Sequence, residues 1–206
     1  MLTIWGRTTS SNVQKVLWCC AELGIEFERI DWGGSFGGND APAYRAMNPN
    51  GRVPTVKDGD TIIWESNTII RYLCATRGGA HLHPVDPARR SKVERWMDWQ
   101  IATLNPPMTS LLFGYYRQPE SERNLKALGD ARARTIDNWS IVERELRKHD
   151  YLAGDDFTLA DIGTGILVHR WFNFPIERPH LPRLALWYQM LSRRPGFLRH
   201  GAGPVS

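Results

Sequence analysis

The sequence predicts an α/β domain of about 80 residues followed by an all-helical domain. Three observations lead there. Before about residue 80, short β-rich segments alternate with helical ones in the order β-α-β-α-β-β-α. Residues 78–87 then collect two glycines, two prolines and two histidines, the composition of a linker. After residue 87 the periodic segments are all helical. The expected boundaries are 1–79 for the first domain, 80–87 for the linker and 88–206 for the second domain.

Residues 2–6 predict a strand. Residues 12–23 predict a helix, stopped by Gly24. Residues 26–31 predict a second strand. The run Gly33-Gly34-Ser35-Phe36-Gly37-Gly38-Asn39 is a loop signal. A short helix is expected over 42–47. Strands at 55–57 and 61–64 flank Asp58-Gly59-Asp60, a hairpin turn. Residues 66–76 predict a helix ended by Gly78-Gly79. The first β-α-β should form a parallel pair, and the hairpin should add an antiparallel edge.

In the second half, a helix is expected from 88 to about 104, with Val93, Trp96, Met97 and Gln100 on one face. Pro106-Pro107 should interrupt it. Further helices are expected at 108–116, 121–148, 158–173 and 181–193. Thr158-Leu159-Ala160-Asp161 is a capping box in which Asp replaces the more usual Glu or Gln.

Composition removes several function classes. Hydrophobic content is 42% and charged content 23%, so the chain should be globular rather than disordered. No apolar run approaches the ~18 residues of a membrane span. The N-terminus lacks the basic and apolar regions of a secretory signal, so a cytoplasmic location is expected. Cys19, Cys20 and Cys74 are an odd, sparse set with no CxxC pair. A disulfide framework, a zinc ribbon and a dithiol redox site are therefore not expected. The net charge of +4 comes from dispersed basic residues, which is no nucleic-acid footprint. His81-Leu82-His83 has no neighbouring carboxylate or thiol, so no metal site is expected. Nine tryptophans supply core anchors or the walls of an aromatic pocket.

Three local patterns carry chemistry. The first is Thr9-Ser10-Ser11-Asn12-Val13-Gln14-Lys15-Val16, between the first strand and the first helix. The second is Asn48-Pro49-Asn50-Gly51-Arg52-Val53-Pro54-Thr55. The third is Trp64-Glu65-Ser66-Asn67-Thr68-Ile69-Ile70-Arg71-Tyr72-Leu73. Taken alone, Ser10, Ser11 and Asn12 are N-cap residues. Ser66 opens a helix whose free N–H groups form an anion site.

In this order and at these spacings, with a helical second half, the patterns resemble the cytosolic glutathione transferases over nearly the whole chain. The likeness is to bacterial serine-type members (theta-, delta- or nu-like). The resemblance implies a thioredoxin-like first domain that binds glutathione as co-substrate, with no permanently bound cofactor. It implies that Ser10 donates to the glutathione thiolate, with Asn12 or Ser11 as alternatives. It implies a cis Val53–Pro54 bond that presents the Val53 backbone to the cysteinyl unit, with Arg52 at the glycyl carboxylate. Glu65 would meet the α-ammonium and Ser66 the γ-glutamyl carboxylate. A small hydrophobic electrophile would lie against the helical half, with Leu111, Phe113, Tyr115, Tyr116, Trp171 and Phe174 as candidates. The family also implies a homodimer with a detoxifying role. Two other activities stay open at this point: a glutathione-dependent disulfide or peroxide reductase, and a non-catalytic interaction module.

Overall fold

The computed structural model describes residues 1–205. They form two compact units. The first comprises residues 1–83 together with 195–203, and the second residues 84–194 with the residues after 203.

The first unit is built on a four-stranded sheet. Its strands are β1 (Leu2–Trp5), β2 (Phe27–Ile30), β3 (Thr55–Asp58) and β4 (Thr61–Trp64). Their order is β2-β1-β3-β4. β1 runs parallel to β2 and antiparallel to β3, and β3–β4 is the expected hairpin. In β1, Leu2 and Ile4 are buried while Thr3 and Trp5 are half-buried, the period-two pattern of a sheet strand. The helices are α1 (Ser11–Glu22), α2 (Pro42–Met47) and α3 (Ser66–Thr76). Val13, Val16 and Leu17 of α1 join Ile69, Ile70 and Leu73 of α3, Ile4 and Val56 in one buried core. Gly24 follows α1 with φ +63°, the left-handed stop that a side chain resists.

One helix was not expected. Residues 195–200 form α9 (Pro195–His200), which packs on α1 within the first unit. Phe197 meets the Trp18 ring edge-on, with centroids 5.1 Å apart. Gly196 permits that approach, since a Cβ there would lie 2.7 Å from Trp18 Cδ1.

The second unit is helical: α4 (Pro87–Trp99), α5 (Asn105–Tyr116), α6 (Leu125–Leu146), α7 (Leu159–Asn173) and α8 (Pro182–Leu191). Residues 158–168 of α7 and its cap are buried without a break, as in a helix surrounded by others. Trp139 of α6 and Trp171 of α7 face each other there, 6.4 Å apart.

The break expected at Pro106-Pro107 is absent. Residues 100–104 form a π-helical turn that carries α4 into α5, and the Asn105 N–H reaches the Gln100 carbonyl five residues back. Pro107 has no N–H to offer the Thr103 carbonyl. Asn138 Nδ2 of α6 donates to that carbonyl instead, at 3.1 Å. Asn138→Ala is therefore expected to cost about 1 kcal/mol and to lower Tm by about 2–4 °C in a thermal melt.

Candidate functional site

Three segments of the first unit supply the candidate residues: the start of α1, the turn before β3 and the start of α3. Ser10 is the N-cap of α1, with φ −80° and ψ 122°. Its carbonyl accepts from the Gln14 N–H at 2.8 Å, and its own N–H donates to the Arg7 carbonyl at 3.2 Å. Its hydroxyl makes no capping bond. A serine at this position ordinarily spends its oxygen on the helix. Here the hydroxyl sits at the positive end of a twelve-residue helix with its capping role unfilled. Ser11 is the first residue of α1, and Asn12 is exposed in its first turn.

The turn before β3 is set by a small buried network. Tyr44 Oη and Asn48 Nδ2 both donate to the Arg52 carbonyl at 2.8 Å. Thr55 Oγ1 donates to Tyr44 Oη at 2.8 Å and accepts from Asn48 Nδ2 at 3.0 Å. Asn48 Oδ1 accepts the Asn50 N–H at 3.1 Å, which closes an Asx turn. The Val53–Pro54 bond is cis. The Arg52 side chain is exposed, Val53 is half-buried and Pro54 is buried.

Glu65 is the N-cap of α3 and has φ +69°. It is the only non-glycine residue with positive φ among the described residues. Such a conformation costs on the order of 1–3 kcal/mol and persists only where the surroundings over-determine it. It turns the chain sharply out of β4 and leaves Glu65 exposed with Ser66 buried behind it. The Ser66 hydroxyl donates to Asn12 Oδ1 at 3.3 Å, so the first turns of α1 and α3 are joined.

A second tie beneath the first was missed at the sequence level. Lys15 of α1 is buried and donates through Nζ to Asn67 Oδ1 of α3 at 3.1 Å. Burial lowers its pKa to about 7; Glu65 raises it, and Arg71 lowers it further. The available signal was a cation inside the stretch Val13–Cys20, whose residues are all buried.

The three cysteines are buried and reduced. The Cys19 thiol pKa is pushed well up, chiefly by its hydrogen bond with Cys74 and then by burial. Burial pushes the Cys20 thiol up to about 12. Cys19 and Cys20 are therefore held as thiols near neutral pH.

The candidates for the second substrate lie in the helical unit. Leu111, Trp171 and Phe174 are enclosed within it, at 0%, 1% and 2% exposure. Phe113 and Tyr116 are exposed and Tyr115 is half-buried. The Tyr116 hydroxyl donates to the Asn173 carbonyl at 2.8 Å. The Arg117 guanidinium lies over Phe113 and that of Arg123 over Tyr115.

Comparison with known proteins places this geometry. Residues 9–76 match the sequence model of the glutathione S-transferase N-terminal domain, and residues 104–195 that of the C-terminal domain. The chain is 40% identical to glutathione S-transferase GstB of Escherichia coli over 209 aligned positions, with both chains covered completely. It is 28% identical to glutathione S-transferase 3 of Zea mays, over 95% of this chain and 91% of that one. Among solved structures it superposes on a theta class glutathione S-transferase of Xanthomonas axonopodis pv. citri with glutathione bound. The TM-score is 0.96 at 44% identity, over 100% of this chain and 99% of that one. Family-model matches to both halves of the chain and a relative 40% identical over its full length make the protein a member of the glutathione S-transferase family.

Proposed function

We propose that the protein binds glutathione on its α/β unit, stabilises the thiolate with the Ser10 hydroxyl and directs it at a hydrophobic electrophile. The observation that carries this is the Ser10 hydroxyl, an N-cap group at the positive end of α1 with its capping role unfilled. The glutathione bound in the Xanthomonas relative supports it.

The energetics are sufficient. A free thiol has a pKa of about 8.5, and lowering it by ~2 units requires about 2.7 kcal/mol of preference for the anion. A hydrogen bond to a charged acceptor contributes about 1.5–3 kcal/mol, and a helix N-terminus about 0.3–1 kcal/mol. The hydroxyl donates; it does not take the thiol proton, which leaves to solvent. The thiolate then forms the new carbon–sulfur bond as the electrophile's leaving group departs, or as its double bond accepts the electron pair.

The rest of the tripeptide has matching groups. The Val53 N–H and C=O extend the sheet by one short strand against the cysteinyl backbone. Arg52 meets the glycyl carboxylate. Glu65 takes the α-ammonium. Ser66 and the free N–H groups of α3 take the γ-glutamyl carboxylate, the hydroxyl turning from Asn12 to the ligand. Tyr115 and Tyr116, which keep exposed surface on the helical unit, are the candidates for the electrophile. Ser66→Ala is expected to raise KM for glutathione about tenfold and to change kcat less than about threefold. Initial rates across glutathione concentrations check this, and an unchanged KM removes Ser66 from the site.

The reductase alternative uses the same bound thiolate. Because the protein's own three thiols are all buried, the attacking sulfur in that chemistry also comes from glutathione. A detoxifying homodimer in the cytoplasm completes the proposal, and among the described residues no helix is long and apolar enough to cross a membrane.

A further inference from the structure

A lysine inside a protein core is rare, because taking an ammonium out of water is costly. Lys15 is only 1% exposed. Its position follows from the packing of α1, which is covered by α3 on one side and α9 on another. Helical side chains lean toward the helix N-terminus, so Lys15 leans back toward the turn that carries Ser10 and Ser11. Its ammonium reaches Asn67, the residue after Ser66 in the first turn of α3. The Asn12–Ser66 bond joins the first turns of the same two helices. A buried amine therefore ties together the two helices whose starts the proposed site uses.

We infer that Lys15 is a positioning residue for glutathione: its ammonium, held behind the first turn of α3 through Asn67, is the counter-charge that draws the γ-glutamyl carboxylate onto Ser66. The inference rests on the glutathione-binding reading above and deepens it. Two charged groups act on Lys15 from α3: Glu65, which favours the ammonium, and Arg71, which opposes it. The other neighbours of α1 carry charges engaged elsewhere or exposed. On α9, Arg199 is exposed and the His200 ring lies beside Phe27. In the sheet, Arg29 pairs with Asp31, Asp58 binds Tyr72 and Arg77, and Glu28 and Lys57 are exposed.

The consequence is proton linkage. With a pKa of about 7 in the free protein, Lys15 is only partly charged at pH 7.5. A carboxylate arriving at Ser66 favours the ammonium, so binding draws a proton from solvent. Glutathione itself would mask this by releasing its thiol proton. S-methylglutathione has no such proton and isolates the effect.

The test is calorimetric titration of S-methylglutathione at pH 7.5 in two buffers of different ionisation enthalpy, on the wild type, Lys15→Arg and Lys15→Met. Wild type should take up about 0.7 of a proton per site. Lys15→Arg, always charged, should bind within about threefold of wild type with no uptake. Lys15→Met should bind at least about tenfold more weakly, also with no uptake. Uptake that persists in Lys15→Arg, or wild-type affinity in Lys15→Met, overturns the role of Lys15 and leaves the glutathione site standing. Wild type that does not bind S-methylglutathione overturns the glutathione-binding reading, and this inference with it.

Discussion

Ser10→Ala is expected to lower kcat for conjugation at pH 6.5 about fiftyfold while KM for glutathione changes less than about threefold. With the thiol held at a pKa of about 6.5, half of the bound glutathione is thiolate at that pH. With the pKa returned to ~8.5, about 1% is. The sign is fixed by the state stabilised: the hydroxyl donates to the anion, so removing it raises the pKa. The difference therefore closes above pH ~9, where both proteins hold thiolate. A pH–rate profile checks this through its acid limb, which should move up by ~2 units. Asn12→Ala should behave differently. Asn12 is tied to Ser66, so its loss should act mainly on glutathione affinity through the start of α3.

The second large effect is on stability. Asp161 is fully buried and accepts four hydrogen bonds. They come from the Leu152 N–H at 3.0 Å, the Thr158 N–H at 2.9 Å, the Thr158 hydroxyl at 3.2 Å and Trp187 Nε1 at 3.1 Å. One carboxylate thus caps α7, holds the loop before it and anchors α8. Asp161→Ala strands three buried N–H donors at ~1–3 kcal/mol each, partly relieved by relaxation. A loss of about 4 kcal/mol and a fall in Tm of about 10 °C are expected in thermal melts at pH 7.5.

Asp161 also sets a pH dependence. Burial raises its pKa to about 6, against the four donors, which lower it. A folded pKa above the unfolded value of ~3.9 means that the native state holds more protons between about pH 4 and 6. The Asp161 contribution to stability therefore falls as pH rises through that window and is level above it. Comparing melts of the wild type and Asp161→Asn from pH 4 to 7 isolates this slope, which the asparagine should lack.

The sequence shows the first unit well because its punctuation is local. Gly24 ends α1, Asp58-Gly59-Asp60 makes the hairpin, and Gly78 follows α3; each acts within a few residues of its element. What was hidden depends on distant partners. Pro106-Pro107 reads as a break, yet Asn138, more than thirty residues on, supplies the missing donor and the helix continues. The α9 segment is too short to show a period, and its meaning lies in the Trp18 ring it packs on. Nothing near Glu65 demands a positive φ; the sharp exit from β4 into a buried Ser66 does. Lys15 looks like a solvated helix face until α3 and α9 are seen to cover α1. The residues of the proposed glutathione site cluster at helix starts and one turn, which makes them easy to pick out locally. The tie between those starts is not, because it joins residues more than fifty positions apart.

Ser10 is the group proposed to hold the thiolate of bound glutathione. The most direct measurement is the thiolate absorbance of saturating glutathione on the wild type and Ser10→Ala from pH 5 to 9. A thiol pKa of about 6.5 is expected on the wild type and of about 8.5 on Ser10→Ala, with glutathione still bound. A depressed pKa that survives in Ser10→Ala would contradict it and transfer the role to Asn12.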